Sequence, residues 1–254
     1  MTAKEKTIAI LAQGDFPASE RCLKLLRDAD LLLCCDGAAA TALEHGFEPD
    51  EIVGDLDSLD AALRERFAAR LFHDRDQECN DQTKAFRRAL SYHPTRIVIL
   101  GATGRREDHT LGNISLLADY AAMLAKTDSR GSVDGVSVGM SAGNPAGEPS
   151  GNPAGVSTGD SAEVVFPRCR VEMWSDYGHF GVILDSATLP ARPGQEISLF
   201  CFDPSLRVHA DGLQYPTDAV VFDSLWKATL NVAAAPSFTL TLSHPTPVLV
   251  YFAD

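Results

Sequence analysis

Residues 97–124, IVILGATGRREDHTLGNISLLADYAAML, predict a buried strand, a tight turn and a long helix in direct succession. The first four residues form an uninterrupted apolar run, and apolar residues recur at helical spacing from Ile114 to Leu124. Gly101 and Gly104 permit a tight backbone conformation and the close approach of a ligand. A helix start presents unpaired N–H groups and the positive end of its dipole to an anionic phosphate. We therefore predict that this turn, which also carries two arginines, forms one wall of an active site.

Upstream of this stretch, short apolar runs alternate with helical patterns. Strands are predicted over residues 7–12, 31–35, 51–54, 71–73 and 96–100, and helices over residues 19–29, 38–45, 61–70 and 81–90. The strands lack the polar alternation of a half-exposed sheet, which indicates that both faces are covered. Residues 1–176 are therefore expected to form an α/β domain, Rossmann-like, with a mostly parallel sheet and helices on both faces.

Two later parts of the chain differ from this domain. Residues 127–162 are rich in Gly, Ser, Pro and Asn, so a flexible low-complexity insertion is expected there. A last strand of the first domain is expected over residues 169–174. Further strands are expected over residues 180–184, 196–202, 206–210, 219–222, 238–242 and 248–252. Because Gly, Pro and Asp separate these short segments, we expect residues 177–254 to form an all-β sandwich.

The composition argues against two classes of partner. The 254-residue chain has a formal net charge of −13 and no run rich in Lys and Arg. Because nucleic-acid binding and membrane-surface helices both need basic faces, we expect no nucleic acid and no membrane as partners. No apolar run approaches the roughly 20 residues of a membrane span. The six cysteines show no disulfide spacing, so a cytoplasmic protein with reduced thiols is expected.

Acidic residues directly follow several of the predicted strands. Asp15, Asp36, Asp55 and Asp57 lie at such positions, where the carboxyl ends of parallel strands form a ligand-binding edge. Asp55 and Asp57 are two residues apart, so both carboxylates can face one cation. Mg²⁺ prefers hard oxygen ligands of this kind, with water and phosphate oxygens completing its shell. Asp81, which begins a predicted helix, is a candidate third carboxylate.

Three residues near this edge have more than one interpretation. Asp81 can serve only to complement the helix dipole. Lys84 lies on the same helical face and can either reach a phosphate or pair with Asp81. His109 fits a structural hydrogen bond as well as a catalytic role.

Several familiar motifs are missing from the sequence. There is no G-x-x-x-x-G-K-[ST] sequence, no G-x-G-x-x-G after a strand and no Cys/His spacing of a zinc site. Their absence argues against a P-loop NTPase, an ordinary dinucleotide dehydrogenase and a zinc enzyme.

Four motifs occur in a fixed order along the chain. They are DGAA at 36–39, GDLDS at 54–58, NDQTK at 80–84 and GATGRREDHTLGN at 101–113. The C-terminal part adds GLQYP at 212–216 and ATLN at 228–231. This order resembles that of the thiamine pyrophosphokinase (thiamine diphosphokinase) family, and the last two motifs are similar to its G-L-[KR]-[YW]-x and G-x-S-N elements. The resemblance covers nearly the whole chain except residues 127–162.

The resemblance implies transfer of the β,γ-pyrophosphoryl group of ATP to the hydroxyl of thiamine, which gives AMP and thiamine diphosphate. It also implies Mg²⁺ as the metal, ATP as co-substrate and a homodimer that holds thiamine between its subunits. Four residues depart from the family pattern. Arg105 stands where the family usually has a second glycine, and Leu230 replaces a serine. Ala38 and Ala40 replace the usual Gly and Asn.

Carried over to the matching positions, the resemblance also assigns roles to individual residues. Mg²⁺ is expected at Asp55, Asp57 and Asp81. The catalytic residues are expected to be Asp57, Asp81, Arg106 and Asp108. Nucleotide binding is expected at Asp36, Gln77, Lys84, Gly101, Thr103, Gly104, His109 and Asn113. Thiamine is expected at Tyr215, which stacks on its rings, and at Asn231, which hydrogen-bonds to it.

Two alternative functions remain open from the sequence alone. A Mg²⁺-dependent phosphohydrolase uses water as the acceptor and releases phosphate from ATP without thiamine. A catalytically inactive nucleotide- or thiamine-binding regulator is suggested by Arg105 and Leu230, because both depart from the family pattern.

Overall fold

The computed structural model of the protein describes residues 5–128 and 169–254. The first range contains strands β1 (Thr7–Leu11), β2 (Leu31–Cys35), β3 (Glu51–Gly54), β4 (Leu71–His73) and β5 (Arg96–Leu100). Between and after them lie helices α1 (Glu20–Asp28), α2 (Ala38–Glu44), α3 (Ala61–Arg66), α4 (Asp81–Leu90) and α5 (Glu107–Asp128). A 3₁₀ turn, Ala68–Arg70, follows α3, so the helix predicted over residues 61–70 is divided.

The second range contains only strands among its regular elements. They are β6 (Arg170–Ser175), β7 (Gly178–Ile183), β8 (Ala187–Pro190), β9 (Glu196–Phe200), β10 (Val208–Asp211), β11 (Asn231–Val232), β12 (Ser237–Leu242) and β13 (Val248–Ala253). The strand predicted over residues 219–222 is wrong, because these residues are irregular after a turn, although the apolar side chains of Val220 and Phe222 still pack into the core. Strands β8 and β11 were not predicted.

One ten-stranded sheet runs through both ranges, in the order β11-β9-β13-β7-β6-β5-β1-β2-β3-β4. Strands β1 to β6 pair in parallel, and the strands from β7 onward pair antiparallel to their neighbours. The predicted parallel sheet is therefore present, within a larger mixed sheet.

Helices cover both faces of the parallel part of the sheet, as predicted. In β1, Ile8 and Ile10 join a core with Phe86 of α4 and Tyr120 of α5. The alternate residues, such as Leu11, pack on the opposite face with side chains from α1 and α2. The uninterrupted apolar runs of the sequence follow from this burial on both sides.

The C-terminal strands form two layers. Strands β8, β10 and β12 make a separate three-stranded sheet, and a core that includes Leu199, Phe238 and Val250 lies between it and the large sheet. The other layer is a continuation of the large sheet, because β6 pairs with β7 through Met173 and Phe180. The boundary predicted between residues 176 and 177 thus falls in the turn of a hairpin that joins the two parts.

The insertion predicted over residues 127–162 lies outside the described residues from residue 129 onward, and α5 ends at Asp128. Within residues 5–128 and 169–254, no helix has the length and apolar character that crossing a membrane requires.

Candidate active site

The loops after β1 and β5 pack directly against each other. Gly14 N donates to Gly101 O at 2.5 Å, and Asp15 N donates to Thr103 O at 2.8 Å. A Cβ atom at Gly14 would lie 2.3 Å from Thr103 O, so only glycine fits there. Gly104 has a φ of 102°, and a Cβ atom there would lie 2.3 Å from the carboxylate of Asp15. Glycine is therefore required at both positions, because a side chain at either one would prevent the two loops from packing together.

Three carboxylates meet after the neighbouring strands β2 and β3. Each of Asp36, Asp55 and Asp57 offers an oxygen atom within 4.8 Å of the others. Asp36 is buried, and its Oδ2 accepts a hydrogen bond from Ser58 N at 3.1 Å. Among the described residues, Oδ1 of Asp36 has no hydrogen-bond partner although it is buried. A buried carboxylate oxygen without a donor is costly, and a cation would satisfy it.

The environment shifts the pKa values of two of these acids in opposite directions. Burial raises the pKa of Asp36, and the nearby charges of Asp81, Asp55 and Asp57 raise it further against the hydrogen bond from Ser58 N. The pKa of Asp55 is lowered, first by the hydrogen bond from Asp57 N and also by the Gln77 side chain and the charge of Lys84. The site therefore holds concentrated negative charge, which favours a divalent cation.

Asp81 lies beside this cluster but has a different partner. A Cβ atom at Gly54 would lie 3.1 Å from Asp36 Cβ and 3.2 Å from Asp81 Oδ1, so this glycine lets the two acids approach the end of β3. Asp81 Oδ1 accepts a hydrogen bond from the buried Lys84 ammonium at 3.0 Å. Of the two interpretations of Lys84, the structure therefore shows the ion pair.

Asn113 connects the start of α4 to the loop after β5. Its Nδ2 donates to Ala102 O at 2.9 Å, and its Oδ1 accepts from Asn80 Nδ2 at 3.0 Å. Asn80 also caps α4, because its Oδ1 accepts from Thr83 N at 3.0 Å. These bonds fix the position of Asp81, the first residue of α4, relative to residues 101–106, the loop after β5 that we call the glycine turn.

A cleft of about 330 Å³ lies above the carboxyl ends of β1, β2 and β5. The residues that line it include six polar or charged ones from the glycine turn, α4 and α5: Asp81, Thr103, Arg105, Arg106, His109 and Asn113. A larger cavity of about 610 Å³ lies between α4 and α5, but none of the predicted site residues lines it. We therefore take the smaller cleft, together with the adjoining carboxylates, as the candidate active site.

Arg106 and Asp108, both expected to be catalytic, form an ion pair at this cleft. Arg106 Nε donates to Asp108 Oδ1 at 3.0 Å and its Nη2 donates to Oδ2 at 2.5 Å. The arginine lowers the pKa of Asp108 to about 2, so the carboxyl remains ionised at any pH of interest. The pairing fixes the plane of the Arg106 guanidinium.

The two residues expected to bind thiamine lie together at the other end of the sheet. Tyr215 N donates to Asn231 Oδ1 at 3.0 Å, and Asn231 Nδ2 donates to Tyr215 O at 2.8 Å. The Tyr215 ring is exposed, whereas Asn231 is buried at the start of β11. The geometry shows Asn231 holding the backbone of Tyr215.

Sequence models of two family domains match this chain. The one described as thiamin pyrophosphokinase, catalytic domain, matches residues 22–127, and the one described as thiamin pyrophosphokinase, substrate-binding domain, matches residues 178–251. Together they span more than half of the chain, in the order expected from its motifs.

The chain belongs to the thiamin pyrophosphokinase family. This is a family of transferases, and the family predicted from the motif order is confirmed. The thiamine pyrophosphokinase of Bacillus subtilis is 35% identical over 116 residues, which are 44% of this chain and 54% of that protein. The sequence alignment thus spans about half the length of this curated relative.

Solved structures of thiamin pyrophosphokinases have the same fold. The Bacillus subtilis structure has a TM-score of 0.65 at 20% identity, with 98% of this chain and 99% of that chain covered. The Geobacillus thermodenitrificans structure has a TM-score of 0.66 at 19% identity, with 98% and 97% covered. The Candida albicans structure has a TM-score of 0.68 at 14% identity, with 98% and 90% covered. At these identities the similarity establishes the fold of this family member.

In this thiamin pyrophosphokinase family member, the carboxylates that lie closest together differ from the expected metal set. The expected set is Asp55, Asp57 and Asp81, whereas the structure groups Asp36 with Asp55 and Asp57 and joins Asp81 to Lys84. The sequence contains a signal for this arrangement, because Asp36 and Asp55 both directly follow strands that pair side by side. The expected roles of Asp36 in nucleotide binding and of Asp81 in metal binding stay predictions.

Proposed function

We propose that this protein transfers the β,γ-pyrophosphoryl group of ATP to the hydroxyl of thiamine, producing AMP and thiamine diphosphate. The observation that carries the proposal is the match of both the catalytic and the substrate-binding family domains on one chain. The candidate site supports it, since a cleft with two arginines adjoins a group of carboxylates. We also infer that the parallel part of the sheet is Rossmann-like and binds ATP across the carboxyl ends of its strands.

The carboxylates fit Mg²⁺. Asp36, Asp55 and Asp57 offer hard oxygen ligands within 4.8 Å of one another, and the buried Oδ1 of Asp36 needs a partner. When bound, Mg²⁺ neutralises phosphate charge and orients the transferring group. Asp81, fixed by Lys84, completes the negative rim and faces the cleft.

Residues around the cleft position the triphosphate. Thr103 and Arg106 line the cleft, and Asp108 fixes the plane of the Arg106 guanidinium for contact with phosphate oxygens, whereas Gly101 and Gly104 act indirectly, by letting the loops after β1 and β5 pack together. Catalysis of this type depends mainly on positioning and charge stabilisation, which such a rim supplies. On the thiamine side, the exposed Tyr215 ring stacks on the cationic thiazolium.

The strand order supports a homodimer. Tyr215 is tied to β11 at one edge of the large sheet, whereas Asp55 follows β3 near the opposite edge. Eight strand-to-strand steps of about 4.8 Å separate β3 from β11, which is roughly 38 Å along the sheet. This exceeds the span of thiamine and a triphosphate together. The Tyr215 that acts on the ATP of one subunit therefore belongs to a second copy of the chain.

The activity is tested by incubating the purified protein with thiamine and Mg-ATP and resolving the nucleotides. AMP is expected to form in step with thiamine diphosphate. Release of phosphate from ATP without thiamine would show a phosphohydrolase, and binding of both ligands without turnover would show an inactive regulator. Either result contradicts the proposal.

The shared site is tested by mixing two impaired variants, Asp57→Asn and Tyr215→Ala, and assaying them at a thiamine concentration well below the KM of Tyr215→Ala. Random exchange of subunits makes half of the dimers mixed, and each mixed dimer has one intact site if the residues act in trans. The mixture is then expected to regain about a quarter of the wild-type activity. If both residues act within one chain, the mixture is no more active than the average of the two variants assayed separately.

A further inference from the structure

The two arginines of the glycine turn are held in different ways. Arg106 makes a bidentate pair with Asp108, at 2.5 Å and 3.0 Å. This pair is neutral overall, and the low pKa of Asp108, about 2, keeps it ionised. Much of the charge of Arg106 is thus already balanced inside the protein.

Arg105 has a much looser partner. Its Nε lies 3.9 Å from Asp15 Oδ1, which is beyond hydrogen-bond distance, and its side chain is 53% exposed. Within residues 5–128 and 169–254, no hydrogen bond involves the Arg105 guanidinium. Its five N–H donors are therefore available to another anion.

The position of Arg105 directs these donors to the cleft. Arg105 lines the cleft together with Thr103, Arg106 and Asp81. Asp15 is fixed beside it, because its backbone N–H is bonded to Thr103 O and its carboxylate occupies the space over Gly104. A carboxylate thus stands at the edge of the cleft, where an anionic ligand would compete with it for the guanidinium.

The charges around the cleft make Arg105 important for the binding of an anionic ligand. The cleft and its rim contain Asp81 and Asp108 in addition to Asp15, and the two nearby cations, Lys84 and Arg106, are each bonded to one of these acids. A triphosphate that enters meets net negative charge unless an uncommitted cation faces it. A guanidinium binds phosphate oxygens in a bidentate manner, which favours Arg105 for this role.

We propose that Arg105 is a nucleotide-binding residue that contacts the triphosphate of Mg-ATP and exchanges Asp15 for it when the nucleotide binds. This inference rests on the proposed function, since that function makes a triphosphate the ligand of the cleft. It adds a specific contact that the neighbouring Arg106 and Asp108 do not supply.

The proposal predicts opposite effects for the two partners of the loose pair. Arg105→Gln removes the cation, so we expect the affinity for a non-hydrolysable ATP analogue with Mg²⁺ to fall about tenfold or more in calorimetry. Arg105→Lys keeps the charge but not the bidentate geometry and is expected to lie between wild type and Arg105→Gln. Asp15→Asn removes the competing anion and is expected to tighten binding about two- to fivefold.

The matched control is Arg87→Gln, which removes an arginine of similar exposure that pairs with Asp76 outside the cleft. It is expected to leave nucleotide affinity unchanged. If Arg105 and Asp15 only stabilise the loop, both variants weaken binding and lower the melting temperature together, which overturns the proposal. Unchanged affinity in Arg105→Gln also overturns it. Because the assay measures binding, a wild-type protein that binds the analogue but forms no thiamine diphosphate refutes the proposed function alone.

Discussion

Lys84 places its ammonium 3.0 Å from Asp81 Oδ1 while only 3% of its side chain is exposed. A buried ammonium requires a counter-charge, so this lysine and Asp81 hold each other in place. The burial of Lys84 lowers its pKa, but the hydrogen bond and charge of Asp81 outweigh this effect and raise it. Lys84 is therefore charged, and it fixes a carboxylate that lines the cleft of the candidate active site.

The variant Lys84→Met keeps the length of the side chain and removes its charge. We expect the free energy of unfolding to fall by about 1–2 kcal/mol, since Asp81 is partly exposed and water replaces some of the lost interaction. We also expect kcat/KM for Mg-ATP to fall about tenfold or more, because Asp81 loses its fixed position. Urea unfolding and steady-state kinetics measure the two effects.

A surface pair provides the matched control. Lys24 and Asp28 form an ion pair on exposed positions of α1, and Lys24→Met is expected to cost no more than about 0.5 kcal/mol. If the two lysine variants have equal effects on stability and activity, the Lys84–Asp81 pair has no special role.

Asp36→Asn tests the metal site without an activity assay. Burial disfavours the charge of Asp36, so in the presence of a chelator we expect the variant to melt at a higher temperature than the wild type. Mg²⁺ at about 100 times its Kd stabilises a protein that binds it by about 2.7 kcal/mol, and this increment is expected to disappear in the variant. Thermal unfolding with and without Mg²⁺ measures both.

The control for this comparison is Asp119→Asn, which removes an exposed acid on α5. It is expected to retain the full Mg²⁺ increment. A Mg²⁺ response in Asp36→Asn equal to that of the control would exclude Asp36 from the metal site.

The parallel part of the fold was predictable because its residues repeat one pattern. The strand of residues 31–35 is apolar throughout, that of residues 51–54 is apolar after its first residue, Glu51, and both have the predicted bounds and precede a helix. Such a pattern arises only where both faces are buried. The parallel pairing of β2 with β3 also explains why Asp36 and Asp55, which directly follow these strands, lie close together.

The remaining features depend on information that the pattern does not contain. Alternating apolar residues in β7 suit a separate sandwich and a continuation of the large sheet equally, so the pairing of Met173 with Phe180 was not predictable. The looseness of the Arg105–Asp15 pair depends on loop conformations. These conformations are set by long-range packing rather than by local sequence.

Asn231→Asp tests how the thiamine residues are positioned. The change replaces Nδ2, which donates to Tyr215 O, with an oxygen that repels it. We expect KM for thiamine to rise about tenfold while the affinity for Mg-ATP stays constant, because stacking of the Tyr215 ring contributes on the order of 1–2 kcal/mol. Steady-state kinetics with each substrate varied in turn separates the two effects.

Two further variants support the interpretation of this result. Tyr215→Phe keeps the ring and is expected to resemble the wild type. Thr229→Val removes a hydroxyl that bonds to Trp226 O in the neighbouring turn, and it is expected to leave KM for thiamine unchanged. An Asn231→Asp protein with normal KM for thiamine would show that Tyr215 does not depend on Asn231.

His179 links the two parts of the large sheet, and its environment predicts a loss of stability in acid. Its ring stacks on Trp174 of β6 at 4.1 Å and on Phe252 of β13 at 4.8 Å between ring centroids. Burial lowers its pKa to about 4, from 6.5. The folded protein therefore keeps this histidine neutral at pH values where the unfolded chain has already protonated it.

The direction of the pH effect follows from this difference. Between pH 6.5 and pH 4 the unfolded state binds more protons at His179 than the folded state, so the free energy of unfolding falls as the pH falls. At pH 5 the contribution of His179 is a loss of about 2 kcal/mol relative to pH 7.5. In His179→Phe, which retains a stacking ring, we expect this part of the pH dependence to disappear.

Urea unfolding of the wild type and His179→Phe at pH 7.5 and pH 5 measures the effect. If His179→Phe loses as much stability between the two pH values as the wild type, the histidine is not held neutral by its burial. The acid sensitivity of the sheet would then arise from its carboxylates instead.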